Sequence, residues 1–338
     1  MEDIKKFCDC NNLGNVISIK QLTGGLMHKM FKVQTNKTEY AIKVLNPEVI
    51  SRTEAYDNFI ISETIANLAK NNNIPVSCAN IVNNNYLNEF NGKYYMVFDF
   101  VDGKILSDEE ITVNHCIKIG NILSQIHSLN YESIGLQPEV EIYKKLYDWE
   151  SYTNNINFNN MSYKNKYLSN YKKYSELQNK ANINFNSSNT LLCICHRDMD
   201  PKNVMWCDDE PIVIDWESAS LANPYRELLE DALCWSGFLS NNFDEEKFLS
   251  VITSYKKNTN IDNVDWKAVI YGNLVGRLGW LKYNLQRSLG IKTEDKEEML
   301  LAEKEVLKTI DEINRYLSLS DTMYNILSEL QNKKSNSK

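Results

Sequence analysis

The residues best suited to chemistry stand in one short polar segment, His196-Arg197-Asp198-Met199-Asp200-Pro201-Lys202-Asn203, which follows an apolar stretch typical of a buried strand. Asp198 can act as a general base that accepts the proton of an attacking hydroxyl group. Asn203 follows it at a distance that lets the chain turn back and offer an amide oxygen to a divalent metal ion. Either residue alone would mean little, but their spacing predicts a loop that carries a base beside a metal ligand.

A further carboxylate is expected close to this loop. Asp215 ends an apolar strand-like stretch, and the polar residues 208–211 before that stretch predict a hairpin. A carboxylate at a strand end, beside an amide oxygen, is suited to hold magnesium against a triphosphate. Asp198, Asn203 and Asp215 together therefore predict a site for phosphoryl transfer.

A lysine upstream completes this constellation. Ala41 and Lys43 fall on one face of a predicted strand, because side chains alternate along a strand. The small Ala41 leaves room for a nucleotide base, and Lys43 can reach phosphates as a point charge. A carboxylate must orient the lysine, and we expect Glu63 on the following helix to do so, with Glu54 as the alternative.

A glycine pair precedes the lysine strand. Gly24 and Gly25, in the segment 23–28, could fold over phosphates with their backbone N–H groups. The segment is not G-x-G-x-x-G, and a glycine pair in a turn is more common than a phosphate clamp.

The elements that must position these residues change in type near residue 100. Residues 16–100 predict strands, one helix with Ile61, Ile65 and Leu68 on its apolar face, and further strands, with a hairpin turn at residues 35–38. The rest is mostly helical, including helices at 266–287, 294–317 and 322–330. We therefore predict a bilobed α+β fold, with a small antiparallel-sheet lobe at residues 1–100 that binds the nucleotide and a larger, mainly helical lobe at residues 101–338.

Composition narrows the range of partners. The chain has 338 residues, 43% of them hydrophobic, and a formal net charge of -8. This charge disfavours nucleic acid and anionic membranes and suits a cationic substrate. No stretch has the length and apolarity of a membrane span, and the first residues lack the apolar core of a signal peptide. We expect a cytoplasmic monomer.

The cysteines and histidines allow a bland and a sharp interpretation. Cys193, Cys195, His196 and Cys207 could be drawn as a zinc cluster. Strand alternation, however, points the first two cysteines to one face and His196 to the other, and C-x-C is not the usual structural zinc spacing. We interpret the cysteines as reduced, buried thiols, His196 as a brace of the polar loop, and His127 as a packing or hydrogen-bonding residue.

Taken in order, these motifs resemble the aminoglycoside phosphotransferase and choline kinase superfamily. The resemblance spans nearly the whole chain and rests on GGLMHKMFKV, AIKVL, SETIANLAKNNNIPV, ILSQIHSLN, HRDMDPKN and IVIDWESASLANPYRELLEDAL. Members of this superfamily resemble protein kinases in fold and use magnesium with ATP or GTP, so the resemblance implies both for this chain. IDWE stands where protein kinases have DFG.

The resemblance also implies roles for individual residues. Asp198 would be the catalytic base, Asn203 and Asp215 the magnesium ligands, and Lys43 with Glu63 the groups that position the phosphates. The stretch 96–101 would contact the nucleobase, with Ala41, Phe98, Phe100 and Val101 nearest to it. The candidates for contacts with the acceptor are Asp200, Glu217, Glu227, Asp231, Trp235 and Trp280. The acidic pair 230–231 is otherwise typical of a solvated helix face.

The leading interpretation is a kinase that phosphorylates a hydroxyl group of a small molecule, such as an aminoglycoside or a similar aminosugar in antibiotic resistance. The same scaffold serves choline, homoserine, methylthioribose, thiamine and macrolide kinases. A protein kinase is disfavoured, because no DFG glycine follows Asp215 and no activation segment ends in APE. A non-catalytic nucleotide-binding regulator should lack one of the working groups, and Lys43, Asp198, Asn203 and Asp215 are all present.

Overall fold

The chain forms two units, each packed mainly within itself. The computed structural model describes residues 1–22, 28–140 and 142–332. The first unit comprises residues 1–137 and 193–221, and the second comprises residues 138–192 and 222–338. Gly24 and Gly25, the predicted phosphate loop, lie outside the described residues. The polar loop after Cys195 belongs to the same unit as the N-terminal sheet. The lobe boundary at residue 100 stays a prediction.

The first unit is built around an antiparallel sheet of five strands. These are β1 (Val16–Leu22), β2 (Lys29–Thr35), β3 (Glu39–Val44), β4 (Asn88–Phe90) and β5 (Lys93–Asp99), in the spatial order β1-β2-β3-β5-β4. The hairpin predicted across residues 35–38 is confirmed, with Lys43 of β3 opposite Met30 of β2. On its other side Lys43 faces Met96 of β5. The lysine therefore lies on the central strand, where both flanking strands fix its backbone.

Helices cover both faces of this sheet. The helices of the first unit are α1 (Glu2–Cys10), α2 (Pro47–Ile50), α3 (Ala55–Asn71) and α4 (Val113–His127). On one face α1 packs Phe7 against Tyr95, with ring centroids 4.6 Å apart, in a cluster that includes Ile42. On the other face α3 packs Phe59 in a cluster with Met96. Because Met96 is the cross-strand partner of Lys43, the lysine side chain shares the α3 face.

The buried face of α3 matches the predicted one only in part. The helix and the burial of Ile65 are confirmed, but Ile61 is 37% exposed, whereas Glu63 is 4% exposed. The buried residues of the helix are Ala55, Phe59, Ser62, Glu63, Ile65, Ala66 and Ala69. Apolar spacing alone misplaced the face, since the helix is rotated to bury a carboxylate.

Short strands carry the polar loop. They are β6 (Cys193–Cys195), β7 (Val204–Cys207), β8 (Glu210–Val213) and β9 (Ser220–Ala222), paired as β6 with β9 and β7 with β8. The predicted hairpin is β7–β8, and Asp208 adopts a φ of 53° in its turn. Lys104 exchanges backbone hydrogen bonds of 3.0 and 2.8 Å with Trp206 of β7. Gly103 permits this approach, because a Cβ there would lie 2.9 Å from the Trp206 carbonyl oxygen.

The second unit is helical. Its helices are α5 (Lys164–Leu168), α6 (Tyr171–Ser188), α7 (Pro224–Trp235), α8 (Glu245–Lys256), α9 (Trp266–Gly272), α10 (Leu274–Ser288) and α11 (Lys296–Asn332). Short 3-10 turns occur at Tyr131–Ile134, Ser151–Asn154, Phe158–Asn160, Pro201–Asn203 and Trp216–Ser218 across the two units. The two helices predicted at 294–317 and 322–330 are one continuous helix, α11. The residues between them contain no glycine or proline, and the Ser320 hydroxyl donates to the carbonyl of Leu317 within the helix, so nothing interrupts it.

Buried aromatic side chains form much of the core of the second unit. Tyr163, Tyr167 and Tyr174 are fully buried, and burial raises the pKa of Tyr163 to about 12. The Gln178 side chain accepts hydrogen bonds from the Trp149 indole at 3.1 Å and donates to backbone nearby. These tyrosines are thus packed into the core of the second unit. Within the described ranges, no helix is both long and apolar enough to cross a membrane.

Candidate active site

The carboxylate of Asp198 is held from two sides by its own loop. The Asn203 side-chain N–H group donates to Asp198 Oδ2 at 2.8 Å and to the Asp198 carbonyl at 2.7 Å. Lys202 Nζ donates to the other oxygen, Oδ1, at 3.2 Å. The spacing of the motif therefore brings the amide and the carboxylate into contact, as the sequence predicted.

Asp198 has a raised proton affinity. Burial raises its pKa, the contacts with Lys202 and Asn203 lower it, and the negative charge of Asp215 raises it further. The net direction is upward. A carboxylate with a raised pKa is a better general base than an exposed one, because its proton affinity lies closer to that of neutral solution.

His196 braces the loop in its neutral form. Its Nδ1 accepts from the backbone N–H of Asp198 at 3.3 Å, so the ring proton stands on Nε2, which donates to the Ile214 carbonyl at 3.0 Å. The ring is fully buried and meets Trp216 edge-on, with centroids 4.7 Å apart. Both nitrogens are thus engaged in holding the loop to the hairpin, in agreement with the structural interpretation.

The same hairpin places Asp215 beside the loop. The backbone N–H of Ile214 donates to the Asn203 carbonyl at 2.9 Å, which sets the next residue, Asp215, close to the amide. Asp215 adopts a left-handed backbone with φ 61° and ψ 62°. This conformation is uncommon for a residue with a side chain, and here it aims a carboxylate away from the strand.

Asn203 and Asp215 suit magnesium as donors. The Asn203 amide nitrogen is committed to Asp198, which leaves the amide oxygen as its ligand atom. An amide oxygen and a carboxylate are the hard oxygen ligands that Mg²⁺ takes, usually with phosphate oxygens and water. The donor set therefore fits the ion that the sequence predicted.

Lys43 pairs with two carboxylates of the hairpin. Its Nζ lies 2.7 Å from Asp215 Oδ1 and 3.2 Å from Glu217 Oε2. Burial would lower the lysine pKa, but the two carboxylates outweigh it and raise the pKa above its ordinary value. The lysine is therefore a fixed positive charge next to the predicted metal ligand.

The predicted ion pair of Lys43 with Glu63 is not formed, and neither is the alternative with Glu54, which is exposed. Glu63 instead accepts the backbone N–H of Ala79 at 2.6 Å. Burial raises the pKa of Glu63 to about 7, although the Ala79 N–H and the charge of Lys43 oppose the rise. The physical reason is competition, because Asp215 and Glu217 lie within hydrogen-bond distance of the lysine, whereas Glu63 is buried and accepts from the backbone instead.

Glu217, one of the predicted acceptor contacts, lies next to Lys43. Besides Lys43, it meets His28 Nε2 at 3.4 Å, and His28 Nδ1 accepts from the backbone of Asn46 at 3.1 Å. Although burial would raise the pKa of Glu217, His28 and Lys43 together hold it below its usual range. Sequence reasoning missed His28, whose one signal was its position in the GGLMHKM segment.

Asp200, like Glu217, is paired with a lysine that also contacts a neighbouring carboxylate. Lys202 Nζ lies 2.9 Å from Asp200 Oδ2, so this lysine bridges Asp200 and Asp198. The second oxygen, Oδ1, is buried and has no hydrogen-bond partner among the residues that the structure describes. Burial raises the pKa of Asp200 despite the nearby lysine. An unsatisfied buried oxygen beside the base is suited to a donor on a bound molecule.

The residues predicted around the nucleobase lie on β3 and just past β5. Ala41 faces Phe98 across the two strands. The backbone N–H of Phe100 donates to the Glu39 carbonyl at 3.2 Å, and the Phe100 ring lies 3.8 Å below Lys32 Nζ. Val101 follows, half-buried. Ala41 and Phe98 thus share the sheet face of Lys43, and the Phe100 backbone is bonded to the start of β3.

The remaining acceptor candidates lie in the second unit. Glu227 and Asp231 of α7 are 7% and 4% exposed, and Trp235 is fully buried. Trp235 therefore has no surface to offer a bound molecule in this structure. Trp280 of α10 is 46% exposed, and its indole N–H donates to Glu305 at 3.3 Å.

The expectation of a solvated acidic pair at 230–231 is wrong for Asp231, which is buried. Glu230 has a side chain that is 40% exposed and forms two hydrogen bonds of 2.8 and 2.7 Å with the guanidinium of Arg277. Arg277 is 9% exposed and lies 4.2 Å from the Tyr316 ring centroid. The ion pair is therefore bidentate, with a buried arginine and a half-exposed glutamate.

This fold and this loop define a protein-kinase-like phosphotransferase. The sequence profile of the phosphotransferase enzyme family matches residues 18–258. The chain therefore belongs to that family, and the resemblance inferred from its motifs is confirmed. No curated protein sequence matches the chain significantly.

Solved structures share this architecture at low identity. Spectinomycin phosphotransferase APH(9)-Ia, in complex with ADP and spectinomycin, is 16% identical with a TM-score of 0.71, over 94% of this chain and 98% of that one. Choline kinase from Cryptosporidium parvum is 16% identical with a TM-score of 0.59, over 98% and 99%. An aminoglycoside phosphotransferase from Alicyclobacillus acidocaldarius is 13% identical with a TM-score of 0.59, over 95% and 96%. At these identities the likeness establishes the α+β kinase-like fold.

Proposed function

We propose that the enzyme transfers the terminal phosphate of ATP or GTP to a hydroxyl group of a small, positively charged acceptor, an aminoglycoside or a similar aminosugar. The observation that carries this proposal is the contact between Asp198 and Asn203, joined through the Ile214 backbone to Asp215 and from there to Lys43. A base, two metal ligands and a phosphate-binding cation thus form one connected set. A nucleotide-binding regulator would need none of the contacts that position the base.

In the reaction, Asp198 accepts the proton of the acceptor hydroxyl as its oxygen bonds to the γ-phosphorus. The bond from that phosphorus to the β–γ bridging oxygen breaks, and the nucleoside diphosphate leaves with the bridging oxygen. Asn203 keeps the Asp198 carboxylate oriented, while Lys202 holds its second oxygen. Positioning and charge, rather than covalent chemistry, supply most of the rate in such transfers.

Asn203 and Asp215 would hold magnesium at this site. When bound, the ion neutralises the charge of the phosphates as it builds up during transfer. Lys43 would add a positive charge to the α and β phosphates, for which it must share or leave its carboxylate partners. Glu217 and Asp215 keep it poised for that exchange.

The acidity of the site supports a cationic acceptor. Asp198 and Asp200 lie side by side with one exposed lysine between them, and Asp200 Oδ1 lacks a partner among the described residues. An ammonium or hydroxyl group of an aminosugar can donate to that oxygen while its neighbouring hydroxyl faces Asp198. The net charge of -8 favours the approach of polycations. The structural neighbour that binds spectinomycin supports the same acceptor class.

The test is nucleoside diphosphate release by the purified protein with Mg²⁺ and either ATP or GTP. The acceptor panel contains aminoglycosides including spectinomycin, and choline, ethanolamine, homoserine, methylthioribose, thiamine and a macrolide. We expect turnover with an aminocyclitol or aminoglycoside, with the phosphorylated product seen by mass spectrometry. Turnover with another acceptor alone would keep the kinase and refute the aminoglycoside assignment.

Asp198→Asn isolates the base. We expect kcat to fall about 10²- to 10⁴-fold, the usual contribution of a general base, while nucleotide binding is retained. Asp208→Asn is the matched control, because Asp208 is exposed and its left-handed turn conformation suits asparagine. Equal activity of the Asp198→Asn variant and the control would refute the assignment of the base. Nucleotide binding without turnover on any acceptor would favour the regulator.

A further inference from the structure

Three ligand-type side chains meet on the face of β6, beneath the end of α4. Cys193 and Cys195 project to the same side of the strand, and their sulfur atoms lie 4.0 Å apart. His127, the last residue of α4, brings its Nε2 to 3.7 Å from the Cys195 sulfur. All three ligand atoms lie within 4.8 Å of one another. None of them belongs to the proposed phosphoryl-transfer set.

These spacings are close to those of a tetrahedral metal site. With bonds of about 2.3 Å to sulfur and about 2.0 Å to nitrogen, the edges of a zinc tetrahedron are about 3.8 Å between sulfurs and about 3.5 Å between sulfur and nitrogen. The observed edges of 4.0 and 3.7 Å differ from these by a few tenths of an ångström or less. A small rotation of the Cys193 or His127 side chain would close the third edge.

The chemistry of the three groups selects a soft ion. Two thiolates and a neutral imidazole suit Zn²⁺ and similar ions, whereas Mg²⁺ prefers oxygen. Two thiolates also neutralise a divalent charge, which matters because Cys195 is fully buried and Cys193 is 9% exposed. Three protein ligands leave the fourth position for water or another donor. His127 is partly exposed, which gives an ion a route to the site.

The other residues of the zinc cluster considered from sequence lie elsewhere. Both nitrogens of His196 are engaged with backbone, and the Cys207 thiol donates to the Asp102 carbonyl at 3.5 Å. Among the residues that the structure describes, no cysteine takes part in a disulfide. The rejection of that cluster therefore stands for His196 and Cys207, but it did not consider a ligand from α4.

We propose that His127, Cys193 and Cys195 bind one Zn²⁺ or a similar soft ion in the reduced protein. The ion joins the end of α4 to β6, the strand that leads directly into the loop of Asp198. It is distinct in ligand type and position from the magnesium held by Asn203 and Asp215. This proposal concerns ion binding and does not depend on turnover of any acceptor.

The test uses the full chain, reduced and freed of metal, titrated with Co²⁺ and then with Zn²⁺. We expect one Co²⁺ per chain, with a thiolate-to-cobalt charge-transfer band and the visible bands of tetrahedral Co²⁺, and displacement by Zn²⁺. The melting temperature should rise with Zn²⁺, because an ion that binds the folded state stabilises it. Absence of these bands at stoichiometric Co²⁺ would overturn the proposal.

Variants connect the signal with the three side chains. Cys193→Ser and Cys195→Ser should each remove about half of the charge-transfer intensity, since one of two thiolates remains. His127→Gln should weaken binding while it preserves the charge-transfer band at saturating Co²⁺. Cys10→Ser, which changes an exposed thiol on α1, is the control and should alter nothing. Circular dichroism checks that each variant folds, and any one folded variant of the three decides the case. Full charge-transfer intensity in a folded Cys193→Ser or Cys195→Ser variant, unchanged Co²⁺ affinity in a folded His127→Gln variant, or an equal loss in the Cys10→Ser variant would show that the ion binds elsewhere.

Discussion

Replacing Glu63 with glutamine should change how stability depends on pH. The pKa of Glu63 is raised from 4.5 to about 7 by burial in α3, against the opposing effects of the Ala79 N–H and Lys43. The folded protein therefore binds this proton more tightly than the unfolded chain. The stabilisation that this bound proton gives the folded state is complete below about pH 4.5 and is lost as the pH rises through about 7.

The magnitude follows from the two pKa values. A tenfold difference in proton affinity corresponds to about 1.4 kcal/mol. Titration of Glu63 should therefore lower the free energy of unfolding by about 2 to 3 kcal/mol between pH 5 and pH 8. Glu63→Gln cannot titrate, yet its side-chain oxygen can still accept the Ala79 N–H. The variant should therefore become more stable relative to the natural protein as the pH rises.

The assay is urea unfolding followed by tryptophan fluorescence at pH 5, 6, 7 and 8, without nucleotide. Glu54→Gln is the control, because Glu54 is an exposed acid just before the same helix. We expect its curve to run parallel to that of the natural protein, while the Glu63→Gln curve diverges. Parallel curves for all three proteins would show that Glu63 is ionised from pH 5 to pH 8. That result would favour the ion pair with Lys43 that the sequence predicted.

Three further substitutions test single contacts. Asp215→Asn should lower kcat at least about 100-fold, measured by nucleoside diphosphate release, and extra Mg²⁺ should restore part of it, because a metal ligand is weakened. Gly103→Ala should lower the free energy of unfolding by about 1 to 3 kcal/mol in urea, since its Cβ would lie 2.9 Å from the Trp206 carbonyl, and an unchanged midpoint would contradict that contact. Glu230→Gln should lower the free energy of unfolding by about 1 to 3 kcal/mol, because it leaves the buried Arg277 without this counter-charge, and the loss should be smaller at high salt, because the Glu230 side chain is 40% exposed.

The contacts that could be predicted from sequence are local. Asp198 and Asn203 are separated by one turn of the chain, so their meeting follows from spacing alone. The hairpins could also be predicted, because alternation and turn residues are local signals. Asp215 was placed beside the loop for the same reason, since β7 and β8 join the two segments directly.

The contacts that were missed join distant segments. Lys43 meets carboxylates 172 and 174 positions away, whereas the expected partner was Glu63 on the following helix. His127 lies 68 positions before Cys195, on a different element. Spacing carries no information about such pairs, because they depend on how helices are rotated against the sheet. The misjudged face of α3 is the same failure, since one rotation decides whether Ile61 or Glu63 is buried.

The site contains two pairs of carboxylates, and each pair is bridged by one lysine. Lys43 bridges Asp215 and Glu217, and Lys202 bridges Asp198 and Asp200. Four carboxylates against two lysines leave an excess of negative charge, which is costly where burial weakens solvation. A divalent cation at the first pair and a cationic acceptor at the second would each relieve it.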